Sequence, residues 1–138
     1  MRRVVIDTNV LFTGLRSRRG ASYKLLSLLD VGLYQPVVSP PLFFEYAEVL
    51  HRPGSFRHLT ATDIDNFLDA LAARSLQQNI YFLWRPFLRD PKDDMVLELA
   101  GASQSSWIIT YNLRDFTDVG HFGIQAITPD QFLTILRS

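Results

Sequence analysis

Acidic side chains that could hold a metal ion recur in distant segments of the sequence. Asp7, Glu45 and Asp94 each lie just past a predicted strand or in the first two turns of the following helix, and Asn112 and Asp115 follow another strand. Carboxylates that share a pocket repel one another unless a cation neutralises them. Because the ligands would all be oxygens, the pattern favours a hard ion, Mg²⁺ or Mn²⁺. Such an ion suits phosphodiester hydrolysis, in which one metal activates a water and a second stabilises the leaving oxygen.

The first of these acids ends a β-branched run. Val4, Val5 and Ile6 are typical of a strand that is buried on both faces of a parallel sheet, and Asp7 follows them. Open α/β sheets bind their ligands at the carboxyl ends of their strands. The alternative interpretation is that Asp7 only caps the next helix, because Asp is favoured at that position.

The helix predicted after Ser39 carries two glutamates outside its apolar stripe. Glu48 has a partner four residues on, Arg52, whereas Glu45 has none in its own helix and lies among aromatic residues. A carboxylate in such surroundings is costly unless a positive charge compensates it. Glu45 is therefore the better candidate for a metal ligand.

A third acidic segment, residues 90–94, reads Asp-Pro-Lys-Asp-Asp. Asp90 is predicted to be a helix N-cap, and Asp93, three residues later, fits the acid of a capping-box variant. Asp94 has no such role. We therefore expect Asp94 to point out of the carboxyl end of the sheet, the alternative being an acid-rich helix start with no further function.

The elements that must position these acids alternate between strand and helix. Short apolar runs predict five strands, at residues 4–6, 35–39, 79–84, 107–110 and 124–127. Helical patterns separate them, among them one over 21–31 that stops at Gly32 and one from Thr62 to about Leu76. The alternation predicts an α/β fold, a three-layer α/β/α sandwich around a mainly parallel sheet of four to five strands.

Composition bounds the class of protein. The chain has 138 residues, 47% of them hydrophobic, and no cysteine, so we expect a single domain over 1–138 without disulfides or zinc-thiolate sites. Fourteen basic and fourteen acidic residues balance, so global charge does not identify a nucleic-acid binder. No signal peptide or membrane span is evident, and we expect a cytoplasmic protein.

Two basic segments are also noted. The loop Arg16-Ser17-Arg18-Arg19-Gly20 either tracks a phosphate backbone or is a solvated turn. The irregular stretch 52–59 contains Arg57 and His58 and follows His51. Neither histidine has the i, i+4 partner of a helical metal motif, and we interpret both as surface residues.

Four ordered motifs carry a family resemblance. Val-Ile-Asp-Thr-Asn-Val, Ser-Pro-x-Leu-x-x-Glu, Asp-Pro-Lys-Asp-Asp and Ile-Ile-Thr-x-Asn-x-x-Asp-Phe together resemble the PIN domain family over nearly the whole chain, and within it the VapC-like toxins of toxin–antitoxin pairs. The resemblance implies a metal-dependent endoribonuclease, held inactive by a small antitoxin and commonly dimeric. It assigns metal binding to Asp7, Glu45 and Asp94.

The fourth acid departs from the family pattern, because Asn112 stands where many members have Asp. The resemblance therefore favours Asp115 as the remaining catalytic and metal-binding acid, with Thr110 or Asn112 orienting it. We expect the RNA substrate to contact the polar residues at these strand ends, Thr8, Asn9, Thr110 and Asn112.

Two other functions are compatible with the sequence. A phosphatase could use Asp7 as a nucleophile, but such hydrolases usually have a second Asp two residues on, where this chain has Asn9. A catalytically weak or inactive PIN-like module would bind RNA or protein without cutting it. The departure at Asn112 keeps that second alternative open.

Overall fold

Five parallel strands form the centre of the molecule. The computed structural model describes residues 2–80, 91–117 and 119–138. Its strands are β1 (Arg3–Ile6), β2 (Gln35–Val38), β3 (Leu76–Gln77), β4 (Trp107–Ile109) and β5 (Gln125–Ile127), in the spatial order β3-β2-β1-β4-β5. Helices cover the sheet in a three-layer α/β/α arrangement, which confirms the predicted fold class.

The described helices connect these strands. They are α1 (Thr8–Arg16), α2 (Ala21–Ser27), α3 (Pro40–Leu50), α4 (Ala61–Arg74), α5 (Pro91–Ala102) and α6 (Pro129–Arg137). Short 3₁₀ segments cover Leu29–Val31, Leu113–Phe116 and Val119–Phe122. No helix in the described part of the chain is long and apolar enough to cross a membrane.

The core is built around β1. Its residues Val4, Val5 and Ile6 are at most 1% exposed, and because successive side chains of a strand point to opposite faces, both faces of the sheet are covered. β1 pairs with β2 on one side and with β4 on the other. From β1 the chain adds β2 and β3 on one side, and it then crosses back to add β4 and β5 on the other side. The strand order therefore reverses between β1 and β4, and open α/β sheets form their ligand crevice at such a position.

Several predicted boundaries need correction. Residues 81–84 of the third predicted strand lie outside the described residues, its residues 79 and 80 are not in a strand, and β3 lies earlier in the chain. Helix α4 begins after Thr60, because a capping box between Thr60 and Asp63 fixes its start. It ends at Arg74, two positions before the first residue of β3. The helix predicted over 21–31 is α2 followed by a 3₁₀ turn, which Gly32 ends with φ 78°.

Candidate active site

Asp7 lies at the crevice between β1 and β4. Its backbone N–H donates to the carbonyl of Ile109 on β4 at 2.9 Å, which extends the sheet by one residue. As the N-cap of α1, its side chain accepts a hydrogen bond from the backbone N–H of Thr8 at 2.8 Å. The capping alternative from the sequence is therefore correct as a description of local structure. It also fixes the carboxylate at the carboxyl end of the sheet.

A buried threonine holds the other oxygen of this carboxylate. The hydroxyl of Thr110, which directly follows β4 and is fully buried, donates to Oδ2 of Asp7 at 2.7 Å. The same hydroxyl oxygen accepts the backbone N–H of Asn112 at 3.0 Å. Thr110 therefore orients Asp7, and its burial gives it a positioning role instead of the predicted contact with substrate.

Asn9 connects the two sides of the crevice. Its side-chain amide lies 3.4 Å from Oδ2 of Asp7, and its amide oxygen accepts the backbone N–H of Tyr111 at 3.3 Å. These contacts fasten the loop after β4 to the first turn of α1. Asn9 occupies the position where an aspartyl phosphatase would need its second acid, and its amide bonds are structural here.

Glu45 reaches the same region from α3. Ser39 caps that helix and Pro40 opens it, so Glu45 falls in its second turn. The hydroxyl of Thr8 donates to Oε2 of Glu45 at 2.5 Å. Because the backbone N–H of Thr8 also binds Asp7, this one residue links the two carboxylates. The partner that the sequence could not provide within α3 therefore comes from α1.

The neighbour of Glu45 anchors α3 to the sheet. Tyr46 is 1% exposed, and its hydroxyl donates to the carbonyl of Ile6, the residue before Asp7. Burial raises the pKa of the Tyr46 phenol well above its usual value, and the nearby Asp7 and Glu45 charges add to this effect. The phenol therefore stays neutral and serves as a fixed donor.

The pKa of Asp7 is raised from its usual value. Burial is the largest cause, and the negative charges of Glu45 and Asp115 act in the same direction. The hydrogen bonds from Thr110 and from the Thr8 backbone lower it in part. The site thus concentrates negative charge in a poorly solvated place, an arrangement that a bound cation would stabilise.

A pocket of about 300 Å³ opens onto these groups. Three carboxylates line it, those of Asp7, Glu45 and Asp93, together with Asn112 and the ring of Phe12. None of the described lining residues is lysine, arginine or histidine. We call this space the acidic pocket.

The third acid in the pocket is not the one predicted. Asp93 lines the acidic pocket, whereas Asp94 is 2% exposed and is absent from its lining. Consecutive helical residues point about 100° apart, so the side chains of the two acids leave the helix in different directions. The predicted N-cap, Asp90, lies outside the described residues. The sequence signal for an acid near the pocket was the pair Asp93 and Asp94 at the start of α5. Asp93 was interpreted as a capping residue, so the site role was predicted for Asp94.

Asp115 lies close to the pocket without lining it. It is exposed in the 3₁₀ turn after β4, and its backbone N–H donates to the carbonyl of Asn112 at 3.0 Å. Its charge still contributes to the raised pKa of Asp7. Asn112 lines both the acidic pocket and the adjoining surface depression that contains Asp115.

The donor set fits a hydrated divalent ion better than a dehydrated one. Across residues 2–80, 91–117 and 119–138, no three acidic or histidine side chains are grouped closely enough to hold an ion by themselves. Mg²⁺, however, usually keeps several waters and binds through one or two carboxylates plus substrate phosphate. Asp7 and Glu45, linked through Thr8, supply such a pair.

Comparison with known proteins identifies the family and the fold. The sequence matches the family described as PIN domain over residues 3–114. Eleven chains of solved structures match the fold. One is the crystal structure of VapBC2 from Rickettsia felis bound to a DNA fragment from their promoter, with a TM-score of 0.63 and 12% identity, covering 90% of this chain and 98% of that one. A search among curated proteins finds no match.

Proposed function

This chain belongs to the PIN domain family, and we propose that it is a divalent-metal-dependent endoribonuclease whose active site is the acidic pocket. PIN domains are generally nucleases. The observation that carries the proposal is the convergence of Asp7, Glu45 and Asp93 on one pocket at the carboxyl end of the sheet, with no described basic side chain lining it. A pocket of that charge repels a phosphate unless a cation lies between them.

Asp7 and Glu45 would hold the cation, Mg²⁺ or Mn²⁺, with water completing its coordination. When bound, such an ion supplies charge neutralisation and Lewis acidity at the scissile phosphodiester. Thr8 and Thr110 keep both carboxylates in place through the bonds described above. Preorganised ligands of this kind avoid the cost of ordering them during the reaction.

The remaining polar residues would act around this pair. Asp93 lines the pocket and is our candidate for the third acid, while Asp94 stays a prediction from sequence. Asp115, exposed beside Asn112, would contribute through water. Asn112 lines the pocket, and its contact with the RNA stays a prediction from sequence.

Cleavage of a fluorescently labelled single-stranded RNA tests the proposal. We expect the wild type to cut in Mg²⁺ or Mn²⁺ and not in EDTA. Asp7→Asn and Glu45→Gln should each lose at least ~100-fold in rate, because each removes a ligand or a preorganised charge. Comparison of Asp93→Asn with Asp94→Asn decides which of the two acids belongs to the site.

The matched control is Glu48→Gln, on the same helix as Glu45. Its side chain is 70% exposed and bonds Arg52 at 3.3 Å, away from the pocket lining. This variant should keep wild-type activity. Equal losses in the Glu45 and Glu48 variants, or cutting that persists in EDTA, would overturn the proposal. Metal-independent RNA binding without cutting would favour the inactive binding module instead.

We also propose an inhibitory protein partner and a homodimer, as the resemblance to VapC-like toxins implies. The VapBC2 structure, a similar fold, supports the first suggestion. Co-expression with the product of the adjacent reading frame, followed by the cleavage assay, tests for inhibition. Light scattering of the isolated chain tests for the dimer.

A further inference from the structure

A second, larger cavity lies at the far end of α1 from Asp7. Its volume is about 670 Å³, and it is formed by the end of α1 with its following loop and by the segment after α3. Arg16, Arg18, Arg57 and His58 contribute its basic side chains, and all four residues are exposed. We call this cavity the basic cleft. It joins the two basic segments, residues 16–20 and 52–59, which are far apart in the sequence.

The arginines of the basic cleft are not neutralised by described carboxylates. No described residue that lines the cleft is acidic. The ion pairs found among the described residues involve other basic side chains, namely Arg52 with Glu48, Arg74 with Asp30 and His51 with Asp65. The cleft is therefore a concentration of positive charge on a chain whose formal net charge is zero.

An aromatic pair connects the basic cleft to the acidic pocket. Phe12 lines the acidic pocket, and its ring lies 5.1 Å from the ring of Phe56, which lines the cleft. The guanidinium of Arg16 lies 5.8 Å from the centroid of the Phe12 ring. Positive side chains interleaved with aromatic rings are the usual surface for single-stranded nucleic acid, because the rings stack with bases and the arginines bind phosphates.

We propose that the basic cleft binds the phosphate backbone of single-stranded RNA whose scissile bond lies in the acidic pocket. The inference rests on the proposed function, since it takes the RNA to be the substrate. Arg16, which lines the cleft, is 9 positions after Asp7 along helix α1, so the two residues are separated by about 13 Å along its axis. That span corresponds to about four nucleotides at the ~3.4 Å spacing of stacked bases.

An acidic protein segment is the other class of ligand that arginines could bind. The continuity with the acidic pocket argues against it, because a run of carboxylates that followed the aromatic pair would enter a region lined by three more carboxylates. An RNA strand, in contrast, would meet there the cation that the acids hold.

Fluorescence anisotropy with labelled oligoribonucleotides in EDTA tests the inference without requiring cleavage. We expect Arg18→Gln/Arg57→Gln to weaken binding of a 12-nucleotide RNA roughly tenfold, since two exposed charge contacts are lost. The slope of log Kd against log salt should fall by about 1.4, or ~0.7 for each phosphate contact on a single strand.

The control is Lys24→Gln/Arg137→Gln, which removes two exposed positive charges from other helices. It should change the affinity less than twofold. If the double variant of the cleft fails to fold, the single variants Arg18→Gln and Arg57→Gln replace it. Each should weaken RNA binding about threefold.

Three results would overturn the inference. They are equal losses in the cleft and control variants, unchanged RNA affinity in the cleft variant, and competition by a 12-residue acidic peptide as strong as that by unlabelled RNA. Because binding is measured without metal, the proposed nuclease activity and the cleft can fail independently. Cutting by the wild type together with unchanged binding by the cleft variant would remove only the cleft.

Discussion

Replacing Thr110 by Val tests whether the acidic pocket depends on the orientation of Asp7. Valine has nearly the shape of threonine but lacks the hydroxyl that donates to Oδ2 of Asp7 at 2.7 Å and accepts from Asn112 at 3.0 Å. A hydrogen bond to a charged group contributes ~1.5–3 kcal/mol. Its loss favours the protonated form of Asp7, whose pKa is already raised by burial.

The expected result follows from the sign of that change. The hydrogen bond lowers the pKa of Asp7, so its removal raises the pKa further and shifts the acidic limb of the pH–rate profile to higher pH. An energy of ~1.4 kcal/mol is a factor of ten, so cleavage on the acidic limb should fall about tenfold, with a smaller loss at alkaline pH. Loss of the hydrogen bond from the backbone N–H of Asn112, at about 1 kcal/mol, should also lower the melting temperature by about 4 °C.

Rescue by serine separates positioning from packing. Thr110→Ser keeps the hydroxyl and loses one buried methyl group, so it should be destabilised while its pH profile remains that of the wild type. The measurement is the cleavage rate between pH 5 and 9 for all three proteins, alongside thermal melts. A valine variant with an unchanged pH profile, or a serine variant with the same shift, would refute the positioning role.

Three further predictions concern stability and metal binding. In EDTA, Asp7→Asn should be more stable than the wild type at pH 8. A carboxylate whose folded pKa is raised gives stability at low pH that is lost as pH rises through that pKa. Urea melts from pH 4 to 8 should show the difference vanishing in acid, and a less stable variant at pH 8 would contradict this. Mn²⁺ at ~100 times its Kd for the wild type should stabilise the folded wild type by about 2.7 kcal/mol, and the same concentration should stabilise Glu45→Gln far less. Thermal melts measure both effects, and equal stabilisation of the two proteins would place the ion elsewhere. Gly14→Ala should lower the free energy of unfolding by about 1–2 kcal/mol, because a Cβ there would lie 2.5 Å from Leu26 Cδ1 and 3.2 Å from the backbone of α2. The control Gly120→Ala, whose Cβ would have nothing within 4 Å, should change it little. Equal melting temperatures for the two variants would contradict close packing of α1 against α2 at Gly14.

The sequence predicted the order of elements because its local signals agree with the fold. Val4–Ile6 is buried as a strand must be, and Ser39 and Thr128 cap helices as their types predict. The third strand was misplaced because β3 has only two residues, which is too short for a periodic pattern. Its pairing with β2 comes from tertiary contact and not from its own sequence.

The choice between Asp93 and Asp94 shows a different limit. Residues Met95 to Ala100 of α5 are all buried. A helix that is buried on all sides has no exposed polar stripe, so its sequence does not define which residue faces the pocket. Glu45 was predicted as a ligand because its carboxylate has no partner within α3. Its link to Asp7 through Thr8 depends on the packing of α1 against α3, which the sequence does not show.

The most direct test of the account is the location of the metal. Crystals of the wild type soaked in Mn²⁺ should give an anomalous difference peak in the acidic pocket, within ligand distance of Asp7 and Glu45, and crystals of Asp7→Asn should give none there. A wild-type protein that cuts RNA in Mn²⁺ but shows its peak elsewhere, or shows no peak, would contradict the claim that these carboxylates hold the catalytic ion.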